Sequence, residues 1–285
     1  MQSKLIGYLT CMGFILSLFL SNPADAQRRK DKRNGTPEIM KDLPSFFVSD
    51  HKLPDYLKEV YKQDATRLSI RLLNKEQSLS KQTIIVPEEL VQAVYNALVA
   101  IRTSSFSAID TIAAKYNVRS FPIPNVENII LVFEHDDDRL ESIKRRRSDT
   151  LDDPNFNALM RQYDLRIARL AYLDEERAGM VLYARNPINV PALAYKMFML
   201  EGIGSIEEVL PYGDGNDIQI ERTKEGWNLN YSVKFGNCTN QCQKAHNWNF
   251  SINEEGDVAY HGSSGQVIPP WITATAHAPK DLLKD

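Results

Sequence analysis

The chain has 285 residues and a formal net charge of -3 at pH 7. This mild acidity argues against a dedicated nucleic-acid-binding protein, because such proteins carry a strong basic excess. The length allows one large domain or two modest ones.

The N-terminal residues predict a secretory signal sequence. Lys4 precedes an apolar run over residues 5–20, and Ala24-Asp25-Ala26 fits the small-x-small pattern of a cleavage site. The run is shorter than the ~20 residues that span a bilayer, so we expect residues 1–26 to be a cleaved signal peptide rather than a membrane anchor. The mature protein is then expected to be secreted, periplasmic or attached to the cell envelope, with no transmembrane span.

A charged leader and a helical region follow. Residues 27–42 hold few apolar side chains, which predicts a disordered leader. In residues 43–122, apolar side chains recur at three- and four-residue spacing, which predicts helices with one buried face. The predicted helices begin near Asp55, run from Pro87 to about Arg102, and run from about Ala108 to Tyr116.

Residues 123–212 predict a ferredoxin-like domain. Short apolar runs alternate with two helical patterns, Asn155–Tyr163 and a helix over residues 190–200 that Asn189 is expected to cap. The order βαββαβ places two helices on one face of an antiparallel sheet. The acidic residues 136–138 and the basic residues 144–147 are predicted to neutralise each other in part. The predicted strands are Asn128–Glu134, Arg166–Leu173, Met180–Ala184 and Ile206–Leu210.

Residues 213–262 predict an antiparallel β-meander. Apolar side chains alternate strictly from Trp227 to Phe235 and again from Trp248 to Ile252. A four-stranded sheet with one apolar face is stable when it packs on another layer, and we expect that layer to be the preceding domain. Residues 263–285 are predicted to be a tail with Trp271 held against the sheet. The expected fold class is therefore α+β, with the helical region first, the ferredoxin-like domain next and the meander last.

Two segments resemble known proteins. The passage over residues 189–212, a helix, a glycine-containing turn and a Val/Glu-rich strand, resembles the last half of subtilase propeptides and related inhibitor domains. This resemblance implies a ferredoxin-like fold over residues 128–212 and relatives that bind proteases. The pattern Gly-Asn-Cys-x3-Cys-x3-His-x-Trp-x-Phe over residues 236–250 is similar to the C-terminal part of uncharacterised secreted bacterial proteins. That likeness implies export and brings no activity.

The cysteine loop is the first candidate site. Cys238 and Cys242 are the two cysteines left after signal removal, and an even pair in an exported chain predicts a disulfide. The alternatives are a zinc site, in which His246, alone or with His261 as a fourth ligand, joins the two thiolates, and a redox-active pair. A free cysteine beside His246 is also the arrangement of a nucleophile and its base.

The second candidate is the turn that contains Asp214 and Asp217. Oxygen ligands in a glycine-rich turn resemble a calcium loop, but Ile218 and Gln219 stand where that loop needs a ligand and a glycine. We therefore expect a plain β-turn. We expect no cofactor, with zinc or calcium as the alternatives.

The sequence shows no phosphate-binding loop, no Ser-His-Asp spacing and no His-Glu-x-x-His motif. Our hypothesis is therefore a non-catalytic module that binds a protein or peptide, with no catalytic residue assigned. One alternative is a metal-dependent or His-assisted hydrolase centred on the loop from Cys238 to His246. The other is a structural accessory protein of the envelope.

Overall fold

A computed structural model of the chain describes residues 38–76, 83–121, 128–134, 136–145, 150–198, 200, 204–208 and 213–272. The predicted signal sequence and its cleavage site, residues 27–37 of the leader and residues 273–285 of the tail lie outside these residues.

The described residues form a mixed α/β protein with two antiparallel four-stranded sheets. The helices are α1 (Asp55–Glu76), α2 (Glu88–Thr103), α3 (Glu141–Lys144), α4 (Pro154–Gln162) and α5 (Val190–Met197). The strands are β1 (Asn128–Glu134), β2 (Leu165–Tyr172), β3 (Arg177–Ala184), β4 (Ser205–Glu208), β5 (Asp217–Thr223), β6 (Gly226–Phe235), β7 (Lys244–Asn253) and β8 (Val258–Gly265). The strand predicted at Asn128–Glu134 and the helix start predicted at Asp55 are confirmed.

Sheet one contains the strands of the middle of the chain in the order β2-β3-β1-β4. Alternate side chains of β1, at Ile129, Leu131 and Phe133, pair with Leu182, Met180 and Ala178 of β3. These side chains are buried in one core with residues of α4 and α5. Both helices therefore cover the same face of sheet one, and the opposite face of the sheet carries the other alternate residues.

Sheet two contains the last four strands in the order β5-β6-β7-β8. Its apolar face, which includes the fully buried Trp227, shares a core with the inner faces of α1 and α2. These helices come from the other end of the chain, so the layer that stabilises sheet two is the helical region and not the segment directly before it. A sheet with one apolar face needs such a layer because its strands cannot bury that face alone.

Two buried carboxylates stabilise the packing of α1 and sheet two around residues 119–121. Asp64 of α1 accepts hydrogen bonds from Arg119 Nε at 2.5 Å and from the Ser120 hydroxyl at 3.0 Å. Asp217 of β5 accepts from the Phe121 backbone N–H at 2.7 Å, and Arg71 of α1 pairs with it at 3.0 Å. The segment before sheet one is thereby held between α1 and sheet two.

Three local predictions differ from the structure. Asn189 makes no side-chain capping bond. Its amide Nδ2 instead donates to Asn74 Oδ1 at 2.8 Å, and Pro191 removes one N–H that a cap could bind. The third predicted helix contains a π-helical turn, Asp110–Lys115, in which the Tyr116 N–H bonds to the Thr111 carbonyl. Trp271 is 77% exposed and is not held against the sheet.

Within the described ranges, none of the helices has both the length and the apolar content required to cross a bilayer.

Candidate functional site

The predicted disulfide is confirmed: Cys238 and Cys242 are joined in the connection between β6 and β7. Gly213 lies under this loop at φ +89°, and a Cβ atom there would stand 2.6 Å from the Cys238 carbonyl oxygen. Only glycine therefore fits at this position. The two sulfur atoms are bonded to each other, so in this state they do not offer thiolates to a metal or to a substrate.

Asp214 anchors the cysteine loop. Its backbone N–H donates to the Cys238 carbonyl oxygen at 2.9 Å, and its Oδ2 atom accepts from the Cys242 N–H at 3.0 Å. Its Oδ1 atom pairs with Lys234 Nζ at 2.9 Å. Burial raises the pKa of Asp214, but the bonds from the Cys242 N–H and from Lys234 outweigh it and hold the pKa below its ordinary range.

The second aspartate of the turn has a different role. The Asp217 carboxylate pairs with Arg71 and accepts the Phe121 N–H, as described above. Asp214 thus forms an ion pair with Lys234, and Asp217 forms one with Arg71, so the two carboxylates have separate partners. The structure does not bring them together as a calcium loop would.

The two candidate histidines have local partners. His246 Nδ1 donates to the Gln266 carbonyl oxygen at 2.9 Å, and its ring packs edge-on against Trp248 at 4.6 Å. His261 Nε2 is hydrogen-bonded to the Ser251 hydroxyl at 2.7 Å. Among the described residues, no three His, Cys, Asp or Glu side chains are grouped to hold a metal ion.

In the charge runs over residues 136–147, the described residues Asp137, Lys144 and Arg145 pair with sequence neighbours. Arg139 lies 2.5 Å from Asp137 and 3.5 Å from Asp153. The hydrogen bond from Arg139 lowers the pKa of Asp137 more than burial raises it. Arg145 pairs with Glu141 at 3.0 Å, whereas Arg146 and Arg147 lie outside the described residues.

A polar cleft of about 550 Å³ lies between residues 47–52, the C-terminal end of α2 and the turn before β8. It contains a hydroxyl–imidazole pair, because Ser49 Oγ is hydrogen-bonded to His51 Nδ1. The neighbouring Asp50 carboxylate accepts from the Tyr95 hydroxyl at 2.7 Å. A catalytic triad needs that carboxylate on the imidazole, so this cleft does not contain one.

The least expected surface is the face of sheet one opposite α4 and α5, which we call the open face. Its centre is apolar: Ile130 pairs with Val181 across the strands, and both side chains are half-buried. Tyr183 at one end is 42% exposed. At the other end the Leu173 side chain lies over Gly179, and it is 43% exposed.

Arg166 and Arg169 of β2 complete the open face, since they pair directly with Tyr183 and Val181. This surface is not among the sites predicted from the sequence. The available signal was that both faces of the strand over residues 128–134 are apolar, although helices were predicted to cover only one of them.

A second apolar surface adjoins the edge of sheet one. A cleft of about 380 Å³ lies between α5 and β4, and Phe198 and Tyr195 stand beside it at 77% and 45% exposure. Exposed aromatic side chains in contiguous apolar patches are typical of interaction surfaces.

Comparison of the chain with models of protein families, with curated proteins and with solved structures gives no match.

Proposed function

We propose that this is an exported, non-catalytic module that binds a protein partner through the open face of sheet one. The observation that carries the proposal is the apolar band from Leu173 to Tyr183, whose two ends are exposed and whose centre is half-buried, on a sheet face that α4 and α5 do not cover. An exposed apolar patch of this kind gains stability when a partner removes it from water.

We further propose that residues 128–208 form a ferredoxin-like domain. The strand order β2-β3-β1-β4, with every neighbouring pair antiparallel, supports this arrangement. So does the position of α4 before β2 and of α5 before β4, with both helices in one core. In this arrangement the two helices cover one sheet face, and the other is left for binding. The resemblance of the segment over residues 189–212 to propeptides implies relatives that bind proteases, which agrees with a binding role.

Export is supported by two features. The N-terminal apolar run ends in a small-x-small cleavage pattern. The bridge between Cys238 and Cys242 is a type of bond that persists in oxidising compartments. N-terminal sequencing of the protein recovered from its host tests this step: Gln27 is expected as the first residue. An intact Met1 in a cytosolic fraction would contradict it.

Binding is favoured over hydrolysis because the candidate catalytic groups have structural partners. The hydrolase alternative needs a free cysteine beside His246. Here both cysteines are in the bridge, and His246 holds the segment after β8 through the Gln266 carbonyl. The contacts of the open face are incomplete by comparison, since the Leu173 and Tyr183 side chains are exposed.

Site-specific photo-crosslinking tests the proposed surface. A benzophenone amino acid is placed at Tyr183 on the open face of sheet one, or at Asn228 on the uncovered face of sheet two, and the protein is expressed in its own host. We expect one defined protein to be crosslinked from position 183 and not from position 228. Equal crosslinking from both positions, or none from position 183, would contradict the proposal.

A further inference from the structure

Two arginines flank the apolar centre of the open face because of a bulge in β2. Arg166 and Arg169 are three positions apart, so a regular strand would direct them to opposite faces. The pairing register shifts between Ile167 and Arg169, which inserts one extra residue. As a result Arg166 opposes Tyr183 and Arg169 opposes Val181, and both lie on the open face.

Neither guanidinium is neutralised within the described part of the chain. Both side chains are exposed, and no carboxylate or other polar group there pairs with them. Other exposed arginines of the same region do have acidic neighbours: Arg177 lies 2.6 Å from Asp174, and Arg145 lies 3.0 Å from Glu141. Arg166 and Arg169, without a partner among the described residues, lie beside the apolar side chains of Val181 and Tyr183. Together these residues form an amphipathic surface.

We propose that the partner is an acidic protein surface whose carboxylates pair with Arg166 and Arg169 while its apolar side chains cover Val181 and Tyr183. This inference rests on the proposed function and adds the chemistry of the partner. A planar guanidinium binds a carboxylate through two parallel hydrogen bonds. Removal of the apolar band from water strengthens such pairs, because the local dielectric constant falls.

The apolar centre of the open face favours a protein over an anionic membrane as the occupant. A phosphate-rich lipid surface would satisfy the two arginines, but it does not need the half-buried Val181 and Ile130 at the centre of the face. Those side chains fit apolar groups spaced between acidic ones. We therefore expect both the charged and the apolar residues of the open face to contribute to binding.

Selection from a random 12-residue peptide library, displayed on phage, tests the inference on immobilised residues 27–285. Four proteins are compared: the parent, Arg166→Glu with Arg169→Glu, Tyr183→Asp, and a control with Arg161→Glu and Lys196→Glu. The control makes the same change in charge on exposed residues of α4 and α5, on the helical side of sheet one. Circular dichroism verifies that each variant is folded.

We expect the parent and the control to enrich peptides that combine Asp or Glu with apolar residues. The double arginine reversal should bind those peptides about tenfold more weakly or worse, and should enrich Lys and Arg instead. Binding to the parent should also weaken as salt rises.

The other outcomes separate the two proposals. Peptides that need Tyr183 but bind the arginine reversal equally well would overturn the acidic partner and leave the protein-binding face intact. If no selected peptide depends on Tyr183 for binding, the protein-binding face and the acidic partner are both overturned. The protein and the variants are also sedimented with phosphatidylglycerol vesicles. If the parent and Tyr183→Asp sediment with the vesicles but the arginine reversal does not, the inference is overturned in favour of a membrane.

Discussion

The two sheets of this protein have the same number of strands and the same antiparallel pairing, but their uncovered faces differ in chemistry. On sheet two that face consists of amide and hydroxyl groups that bind one another. Asn230 donates to Asn249 at 2.8 Å, and the Ser232 hydroxyl lies 2.7 Å from both Asn230 Oδ1 and Asn247 Oδ1. On sheet one the corresponding face has an apolar centre. Arg166 and Arg169, which have no partner among the described residues, lie on one side of this centre, and Glu207 occupies the position paired with Ile130 on the other.

The difference shows that exposure alone does not identify a binding surface. Polar side chains that satisfy each other gain little from a partner, because binding would only exchange one set of hydrogen bonds for another. Apolar side chains in water, and cations without counter-charges, have interactions still to gain. The open face of sheet one is therefore the surface on which a partner can add stability.

The largest expected effect concerns the attachment of residues 119–121 to α1. Replacement of Asp64 by Ala leaves the mostly buried side chain of Arg119 without its counter-charge, and should lower the free energy of unfolding by about 3–5 kcal/mol. The matched control is Glu141→Ala in the exposed pairs with Lys144 and Arg145, where a loss of about 0–1 kcal/mol is expected. Urea denaturation measures both. Equal effects of the two substitutions would show that the Asp64–Arg119 pair does not hold residues 119–121 against α1.

Loss of the disulfide should have the next largest effect. Replacement of Cys238 and Cys242 by Ser removes a short covalent loop, which should cost about 2 kcal/mol. Hydrogen exchange should report faster opening of β6 and β7 and unchanged exchange in sheet one. Treatment of the unmodified protein with a reductant should reproduce this effect, and the serine variant should not respond. Complete alkylation of both thiols without reductant would contradict the bridge.

Asp214 gives the protein a predictable dependence on pH. Because its pKa is lower in the folded chain than the ordinary value of 3.8, it stabilises the fold above that pH. This stabilisation should be lost as pH falls through the lower, folded-state pKa. Asp214→Asn should reduce the free energy of unfolding by about 1–2 kcal/mol at neutral pH, since charged hydrogen bonds to Cys242 and Lys234 are weakened. The difference between parent and variant should vanish in acid, and a constant difference would contradict the assignment.

The smallest effects compare the two uncovered faces directly. Asn249→Ala breaks the amide network of sheet two and should cost about 1 kcal/mol of unfolding free energy. Tyr183→Ser changes a side chain of sheet one that faces solvent, and should change that free energy by no more than about 0.5 kcal/mol. Thermal and urea unfolding of the two variants test this contrast. A larger loss for Tyr183→Ser would show that the open face is structural.

Local patterns predicted the elements well, because strict alternation from Trp227 to Phe235 has one interpretation as a half-buried strand. They missed contacts made over long distances in sequence. Nothing near Asp64 or Asp217 indicates that both hold the segment over residues 119–121. The extension of β8 to Gly265 was also missed, since its Gly/Ser-rich end has low strand propensity and forms only through pairing with β7.

The disulfide was predictable because the predicted export and an even cysteine count both imply it, whereas the placement of the two arginines on the open face was not. Recognition of that surface requires the β2 bulge, which places Arg166 and Arg169 on one side. A bulge depends on the fit of two strands and leaves no mark in the residue types of one of them.

The most direct test of binding through the open face of sheet one is calorimetric titration of a library-selected peptide. The peptide is titrated into three proteins, which are the parent, Tyr183→Asp and Asn228→Asp. Each variant adds one negative charge to an exposed strand position, the first on sheet one and the second on sheet two. We expect Tyr183→Asp to abolish peptide binding and Asn228→Asp to leave it unchanged. Undiminished binding to Tyr183→Asp, or loss of binding in Asn228→Asp alone, would contradict this expectation.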